Sequence, residues 1–401
     1  MKNPELNAWC DYEYAEVEHA KDGPLRGLTL AVKDIFQVKG YRNGWGQPSR
    51  LAEAQIDTQT QPEVQKLLEA GIDCTGKSQC EELCFSLIGI NAHYGAPVNV
   101  KAPDRVTGGS SSGSASLVAA GAVDVATASD TGGSVRAPAA FCGLIGLRIT
   151  HGRLSLERSM PLAPSFDCFG WFARDIETYA KVADVLLGQD DSDARFTKAI
   201  RVSALEELLS GDDEKEAYFA AVSEIEEAFE GMEVVKALPF SLPDACETFV
   251  TSQAFDAWGA LGDWITSRQP ELGAGVKERF EFGASVSQSD FQSAEKTRQA
   301  ITTHLETMVA NHGVLVMPTV PSCAPKRNAS QDALQDFRHN MLQLLCLSGL
   351  TGLPQITLPL AQVHGAPFGI SILGPRGADQ QLIGLAKKIM KGRNNKAPVD
   401  G

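Results

Sequence analysis

The sequence predicts an α/β protein, because patterns typical of buried strands alternate along the chain with patterns typical of helices. Runs of apolar and β-branched residues that predict strands occupy residues 27–38, 72–76, 123–128, 232–236, 314–317, 355–358 and 368–373. Helical patterns lie between them, at residues 61–70, 80–85, 115–120, 289–310 and 378–390. We expect the apolar strands of the last third to rejoin the sheet that the first third begins.

Local residues indicate where several of these elements begin and end. In the helix predicted at residues 61–70, apolar residues recur at helical spacing, and Gly71 ends the pattern. Ser114 is expected to cap the helix at residues 115–120, and Gly121 to end it. Both helices are therefore predicted from their ends as well as from their apolar faces.

The middle of the chain, at about 176–310, differs from both flanks. Residues 204–230 are rich in Glu, Asp and Ala, with Tyr218, Val222 and Ile225 at helical spacing. We interpret the charges of this region as a solvated helical face. The prediction is one domain over residues 1–401, with a helical insertion at about 176–310.

Composition narrows the class of protein. A net charge of -14 and a pI near 5.0 argue against a general nucleic-acid binder, which normally presents a basic face. The first 14 residues are polar, and no uncharged run approaches the roughly 18 residues that a membrane helix needs. The nine cysteines show no metal-ligand spacing, so we expect free thiols in a reducing compartment. The expectation is a cytoplasmic protein without membrane or nucleic-acid partners.

Two loops rich in glycine and serine stand out, at residues 108–114 and 130–136. Neither has the Gly-Lys-Ser/Thr ending of a nucleotide P-loop, and neither fits the glycine spacing of a dinucleotide site. A single loop of this kind is most often only a turn. Two of them, each beside a strand or the start of a helix, favour a functional role.

The second loop has the composition of an oxyanion site. Two adjacent glycines let the backbone bend tightly, so that successive N–H groups point at one spot beside the Ser134 hydroxyl. We therefore expect an oxyanion hole made of the backbone N–H groups of Thr131, Gly132, Gly133 and Ser134. Such donors typically contribute about 3–4 kcal/mol each to acyl transfer.

A serine nucleophile needs a base, and Lys33 is the best candidate. The seven histidines have no recognisable partner, and no G-x-S-x-G nucleophile elbow is present. Lys33 interrupts an apolar run at residues 28–36. A lysine in such a run either extends its ammonium group to solvent or has a functional role. Burial disfavours the charged amine, so a buried lysine can accept a proton. Ser110, in the first loop, could relay that proton from Ser134.

These motifs resemble those of the amidase signature hydrolases. The resemblance rests on Ala-Val-Lys-Asp at 31–34, the glycine–serine loop at 108–114, Asp-Thr-Gly-Gly-Ser-Val-Arg-Ala-Pro at 130–138, and the stretch at 141–148. It extends to Gly-Leu-Pro at 352–354 and so spans nearly the whole chain. It implies a large mixed central β-sheet flanked by helices.

The resemblance also implies a role for individual residues. It makes Lys33 the base, Ser134 the nucleophile and Ser110 a bridging serine that sits on a cis peptide bond. It gives Asp130 and Arg136 support roles beneath the oxyanion loop. It implies no cofactor and no metal, and it assigns the insertion to the lining of the substrate site.

Residues 91–95 and 163–174 are most similar to plant-type indole-acetamide hydrolases. The predicted reaction is therefore hydrolysis of a small, aryl-acetamide-like carboxamide through an acyl-enzyme, releasing a carboxylate and ammonia or an amine. The expected partner is a small-molecule amide, and a homodimer is the assembly expected if the chain self-associates.

Two alternatives remain open. The A-type subunit of a tRNA-dependent amidotransferase, a glutaminase, would share the same three residues, although the short, acidic chain suits an RNA partner poorly. A non-catalytic, amidase-like binding scaffold is the other alternative. Such a scaffold would have no need of Lys33, Ser110 and Ser134, all of which are present.

Overall fold

The computed structural model describes residues 4–190, 195–310 and 312–396, which fold around one ten-stranded β-sheet. The strands are β1 (Thr29–Lys33), β2 (Asp73–Ser78), β3 (Val125–Asp130), β4 (Ile145–Arg148), β5 (Cys168–Ala173), β6 (Lys198–Val202), β7 (Gly231–Val235), β8 (Gly313–Pro318), β9 (Gln355–Val363) and β10 (Ala366–Leu373). Their order in the sheet is β2-β1-β3-β5-β4-β9-β10-β8-β6-β7.

The sheet is mixed. Parallel pairing joins β2, β1 and β3 at one end and β8, β6 and β7 at the other, while the strands between pair antiparallel. All six residues of β3 and all eight of β10 are buried, so helices cover both faces of the sheet there. The predicted large mixed sheet, which strands of the last third rejoin, is confirmed.

Helices surround this sheet. They are α1 (Pro48–Glu53), α2 (Pro62–Glu69), α3 (Ser112–Ala119), α4 (Arg136–Cys142), α5 (Ile176–Leu186), α6 (Ser203–Glu206), α7 (Asp212–Glu226), α8 (Leu242–Arg268), α9 (Val276–Ser285), α10 (Gln288–Val309), α11 (Gln331–Thr351) and α12 (Asp379–Lys396). The predictions for α2 and α10 are confirmed to within about a residue at each end. Side chains of Gln61 and Ser287 cap the two helices by accepting backbone N–H bonds.

Two local predictions near the glycine–serine loops are wrong. The strand predicted at residues 27–38 ends at Lys33, because the N–H groups of Ile35 and Phe36 turn back to the Lys33 carbonyl (2.7 and 3.1 Å). Lys33 therefore ends a strand and does not interrupt one. Ser114 is not a helix cap, since α3 begins two residues earlier and the Ser114 hydroxyl donates to the Thr127 carbonyl at 2.8 Å.

The helix predicted at residues 80–85 is also wrong. The chain forms a short 3₁₀ turn, Glu82–Cys84, in which Leu83 and Cys84 have positive φ angles of 47° and 56°. A tertiary hydrogen bond holds this shape, because the Asn91 side chain donates to the Cys80 carbonyl at 3.0 Å. The turn brings Cys84 close to Lys33, whereas a regular helix would place it on an apolar face.

The segment at about 176–310 contributes strands as well as helices. β6 pairs in parallel with β8 and extends the sheet, and β7 forms its edge. The long helix α8, which the sequence pattern did not reveal, packs against α9, α10 and α11. Among the described residues, no helix combines the length and apolar character needed to cross a membrane.

Candidate active site

Lys33 is the last residue of β1, and its side chain is completely buried. The adjacent strand fixes its backbone, since the Lys33 N–H donates to the Thr127 hydroxyl at 2.8 Å. The Nζ atom donates to the hydroxyls of Ser110 (2.8 Å), Ser111 (2.9 Å) and Ser129 (2.8 Å). Three hydroxyls thus surround one amine.

Across the described residues, Lys33 forms no ion pair. The neighbouring Asp34 binds other partners: the Tyr12 hydroxyl donates to it at 2.5 Å, and Lys77 lies 3.5 Å away. Burial raises the pKa of Asp34, and Lys77 opposes that change. A hydroxyl can donate as well as accept, so the serines around Lys33 suit both the protonated and the neutral amine.

The first glycine–serine loop presents Ser110 to Lys33. The Gly109–Ser110 peptide bond is cis, as the resemblance implies. The Glu81 N–H donates to the Ser110 carbonyl at 3.0 Å, and the Gly109 N–H donates to the Leu87 carbonyl at 2.9 Å. A side chain at position 109 would place its Cβ 1.8 Å from Glu81 Oε2, so it would displace the Glu81 carboxylate.

The second loop folds around the carboxylate of Asp130, the last residue of β3. Asp130 accepts the backbone N–H groups of Gly133 (2.8 Å), Val135 (3.1 Å) and Arg136 (3.3 Å). It also accepts Nε and Nη2 of Arg136, at 3.0 and 2.8 Å. Burial alone would raise the pKa of Asp130, but Arg136 and Arg148 beside it hold that pKa well below its usual range.

This arrangement removes one of the predicted oxyanion donors. The Gly133 N–H is committed to Asp130, so the structure does not leave it free to stabilise an oxyanion. The N–H groups of Thr131, Gly132 and Ser134 donate no hydrogen bond anywhere in residues 4–190, 195–310 and 312–396. Three backbone donors of this loop thus have no partner among the described residues.

Ser134 lies two residues before α4 and is 3% exposed. Its hydroxyl makes no hydrogen bond with any described residue. Helices α8 and α11 cover the glycines before it: an added Cβ would lie 2.7 Å from Phe249 at Gly132 and 2.5 Å from Leu345 at Gly133. Gly133 also has a φ of 130°, so this loop can close over Ser134 only with glycine at both positions.

A cavity of about 360 Å³ adjoins the site. Its inner wall holds Ser129, which contacts Lys33, together with Thr131 and Cys84. Apolar side chains form most of the remainder: Ile35, Leu156, Met160, Pro161, Leu162 and Pro164. The volume and lining are typical of pockets that bind small organic molecules.

Four residues of the site were not assigned from the sequence. Ser111 and Arg148 lie inside the recognised motifs, which was the available signal; Arg148 Nη1 donates to the Asp130 carboxylate at 3.1 Å. Asp167 lies in the recognised stretch at 163–174, whereas no sequence pattern distinguishes Ser129. Asp167 accepts the Thr131 hydroxyl at 2.6 Å, and burial raises the pKa of Asp167.

The whole chain is similar to known amidases. The sequence model of the family described as Amidase matches residues 7–383. Amidase 1 of Arabidopsis thaliana is 35% identical over 394 residues, covering 91% of this chain and 93% of that protein. The A-type subunit of the glutamyl-tRNA(Gln) amidotransferase from Methanospirillum hungatei is 32% identical, covering 93% and 94%. A crystal structure of an amidase superposes with a TM-score of 0.82 at 26% identity, covering 92% of this chain and 85% of the other.

Proposed function

The chain belongs to the amidase family and hydrolyses amide bonds, and we propose that it cleaves a small carboxamide of the aryl-acetamide type through an acyl-enzyme on Ser134. One observation carries the proposal. The Lys33 amine is buried without an ion pair and contacts the Ser110 hydroxyl at 2.8 Å, beside a loop with free backbone N–H groups. A base, a relay and an oxyanion site therefore occupy neighbouring positions.

In the first half-reaction, the Ser134 oxygen attacks the amide carbonyl carbon. Its proton passes through the Ser110 hydroxyl to Nζ of Lys33. The carbonyl oxygen becomes an oxyanion and accepts hydrogen bonds from the free N–H groups of Thr131, Gly132 and Ser134. When the carbon–nitrogen bond breaks, Lys33 returns the proton through Ser110 to the leaving nitrogen.

In the second half-reaction, water attacks the acyl-enzyme by the same route. The water proton passes through Ser110 to Lys33, and the oxyanion forms again at the same three N–H groups. The bond to Ser134 then breaks, and Lys33 returns the proton to the serine oxygen. One amide and one water become one acid and one amine, and the enzyme is unchanged.

The step from Ser134 to Ser110 is the least constrained part of this route. In the described chain the Ser134 hydroxyl has no hydrogen-bond partner. Catalytic hydrogen bonds are often long in an enzyme without substrate and shorten in the complex. We expect the bound amide to bring the two hydroxyls together, because its carbonyl must enter beside the free N–H groups.

The apolar cavity supports the proposed acyl group. It borders Ser129 and Thr131, so an acyl group placed there would leave its carbonyl close to the oxyanion loop. An aromatic ring would gain apolar contacts from Ile35, Met160 and Leu162. This lining, together with the resemblance of residues 91–95 and 163–174 to plant-type indole-acetamide hydrolases, supports an aryl-acetamide.

A substrate screen tests the proposal. Primary amides, anilides, ureas and carbamates are compared by release of ammonia or amine, and we expect aryl-acetamides to react fastest. Ser134→Ala should lower turnover at least about a thousand-fold while the protein stays folded, because it removes the attacking oxygen.

Ser116→Ala is the matched control. Ser116 is also buried, and its hydroxyl donates to the Val98 carbonyl at 2.7 Å, away from Lys33. This variant should lose about 1 kcal/mol of stability and keep the wild-type rate. A Ser134→Ala enzyme that retains more than a few per cent of turnover would exclude Ser134 as the nucleophile.

The second candidate function is that of an amidotransferase A-type subunit. The observation that favours it is the 32% identity with the protein from Methanospirillum hungatei. The same Lys33, Ser110 and Ser134 would then release ammonia from glutamine for a partner. Purified protein that prefers glutamine to aryl-acetamides, or that copurifies with a second chain, would support this function over the first.

A further inference from the structure

Two cysteines lie beside the candidate active site, and we call them the thiol pair. Cys80 precedes the 3₁₀ turn Glu82–Cys84, and Cys84 ends it. Neither cysteine is part of a disulfide in this structure. The Cys80 side chain is completely buried, whereas Cys84 is 5% exposed and lines the apolar cavity. A small molecule that enters the cavity can therefore reach the Cys84 sulfur.

The backbone of the turn holds the Cys84 side chain against the cavity. Leu83 and Cys84 have φ angles of 47° and 56°, which residues other than glycine adopt rarely. The Leu83 N–H donates to the Trp45 carbonyl at 2.9 Å. The Cys84 N–H donates to the Glu81 carbonyl at 3.0 Å. These hydrogen bonds fix an uncommon backbone shape, and that shape decides where the Cys84 sulfur lies.

The polar neighbours of Cys84 favour its thiolate. The sulfur lies within hydrogen-bonding reach of the Cys80 thiol, the Lys33 amine and the Ser110 hydroxyl. Burial alone would raise the pKa of Cys84, but the Cys80 thiol and then Lys33 lower that pKa to about 7. The pKa of Cys80 is raised, first by Cys84 and then by burial. Cys84 is therefore the more acidic thiol of the pair, and a thiolate is the nucleophilic form of cysteine.

Three other buried cysteines have a different environment. Burial raises the pKa of Cys142, Cys168 and Cys346, so these thiols stay protonated. None of the three is among the described residues that line the apolar cavity. The Cys142 thiol donates to the Thr107 carbonyl at 3.4 Å, as a structural thiol does. Buried thiols of this kind are inert, so the position and neighbours of Cys84 distinguish it from them.

We propose that the thiol pair is an oxidative modification site, at which hydrogen peroxide joins Cys84 and Cys80 in a disulfide and so stops amide hydrolysis. The Cys84 thiolate attacks one peroxide oxygen, the oxygen–oxygen bond breaks, and the released hydroxide takes up a proton to become water. The Cys80 sulfur then attacks the sulfenic acid on Cys84. A sulfur–sulfur bond forms, and the sulfenic oxygen leaves as water with the Cys80 proton. Two electrons thus pass from the two sulfurs to one peroxide.

The disulfide would disturb the relay serine, a consequence that rests on the proposed function. In the reduced protein, the Cys84 sulfur lies beside Lys33 and Ser110. Glu81, between the two cysteines, donates its N–H to the Ser110 carbonyl at 3.0 Å. A bond between the two sulfurs draws Cys84 away from its partners and changes the turn that carries Glu81. Since Ser110 relays the proton to Lys33, we expect turnover to fall, and a thiol reductant to restore it.

Inactivation by hydrogen peroxide tests the proposal. Treated enzyme is freed of peroxide with catalase, and its turnover of the best amide from the substrate screen is measured before and after dithiothreitol. We expect the wild-type rate to fall at least about ten-fold and to recover with dithiothreitol.

Cysteine variants, each compared with its own untreated rate, identify the residues. Cys84→Ala should keep that rate in peroxide. Cys80→Ala should form no disulfide, and dimedone should label the sulfenic acid that remains on Cys84. Cys142→Ala, which changes a buried thiol outside the cavity, is the matched control and should respond as wild type. Equal inactivation of the wild type and Cys84→Ala would overturn the proposal.

Peptide mass spectrometry separates this proposal from the proposed function. Residues 78–101 form one tryptic peptide, which contains both cysteines of the pair and no other. It should lose two hydrogen atoms on oxidation and regain them on reduction, whichever amide the enzyme hydrolyses. A pair that stays reduced in peroxide, or a disulfide that leaves the rate unchanged, would overturn the proposal. Disulfide-linked inactivation in an enzyme that does not need Ser134 would refute the proposed nucleophile and still support the thiol pair.

Discussion

Two fully buried charge sites lie at the ends of adjacent parallel strands, and they are built in opposite ways. At the end of β3, Asp130 contacts Arg136 at 2.8 Å and Arg148 at 3.1 Å, so each charge has an opposite neighbour. At the end of β1, Lys33 donates to three hydroxyls, lies beside the Cys84 thiol and forms no ion pair with a described carboxylate. The ion pairs at Asp130 hold the second glycine–serine loop in shape. In the proposed mechanism, Lys33 instead has a chemical role, although it is equally buried.

The largest expected effect distinguishes two buried lysines. Lys77, on β2, is as buried as Lys33, but it lies 3.5 Å from Asp34. Lys33→Met should lower turnover at least about a thousand-fold with little change in stability, because it removes the base but leaves no charge unpaired. Lys77→Met should instead lower the free energy of unfolding by about 3–5 kcal/mol, because it leaves the buried Asp34 carboxylate without a positively charged partner. Urea unfolding and turnover per folded molecule measure both.

The comparison would fail in either of two ways. A Lys33→Met enzyme that keeps more than a few per cent of the wild-type rate would mean that the amine is not the base. A Lys33→Met enzyme that loses as much stability as Lys77→Met would mean that the Lys33 ammonium group, bound by the three serine hydroxyls, supports the fold.

The next effect in size is a pH dependence of stability at the paired site. The pKa of Asp130 is lowered in the folded protein, whereas in the unfolded chain this carboxyl takes up a proton near pH 4. Its contribution to stability is therefore complete above about pH 5 and is lost as the pH falls below about 4. Asp130→Asn should be less stable than wild type by about 3–5 kcal/mol at pH 7. Urea unfolding at pH 7 and pH 3.5 should show that gap narrowing in acid; a constant gap would contradict the ion-pair account.

The smallest expected effect is at Arg338, which we compare with the fully buried Arg136. Arg136→Met should cost about 3–5 kcal/mol, because Asp130 would lose its main partner. Arg338→Met should change the unfolding free energy by less than about 1 kcal/mol or raise it, because it removes a partly buried cation that no described residue pairs with. Thermal unfolding of the two variants gives the comparison. A large loss at Arg338 would show that this arginine supports the fold.

The sequence identified the candidate catalytic residues because the proposed chemistry requires unusual residue types in a local pattern. A lysine beside an apolar run and two glycine–serine loops can be recognised one at a time, and the strands that hold them are apolar enough to stand out. The partners of Lys33 were harder to find. Ser111 and Ser129 look like ordinary loop and strand serines until the sheet brings them to one nitrogen.

The features that could not be predicted from the sequence depend on tertiary packing. Helix α8 is buried on several sides near Phe249 and Gln253, so it shows no single apolar face. The Gly133 N–H was predicted to be a free donor, but only the folded loop shows that Asp130 accepts it. Each of these depends on contacts between residues far apart in the chain.

The most direct test of the central claim is to find the acyl group during turnover. An aryl-acetamide reaction is quenched in acid within the first turnover, and the peptide that contains Ser134 is examined by mass spectrometry. The account predicts the acyl mass on Ser134 in the wild-type enzyme and its absence in Lys33→Met. Acylation of another residue, or equal acylation of Ser134 without Lys33, would contradict it.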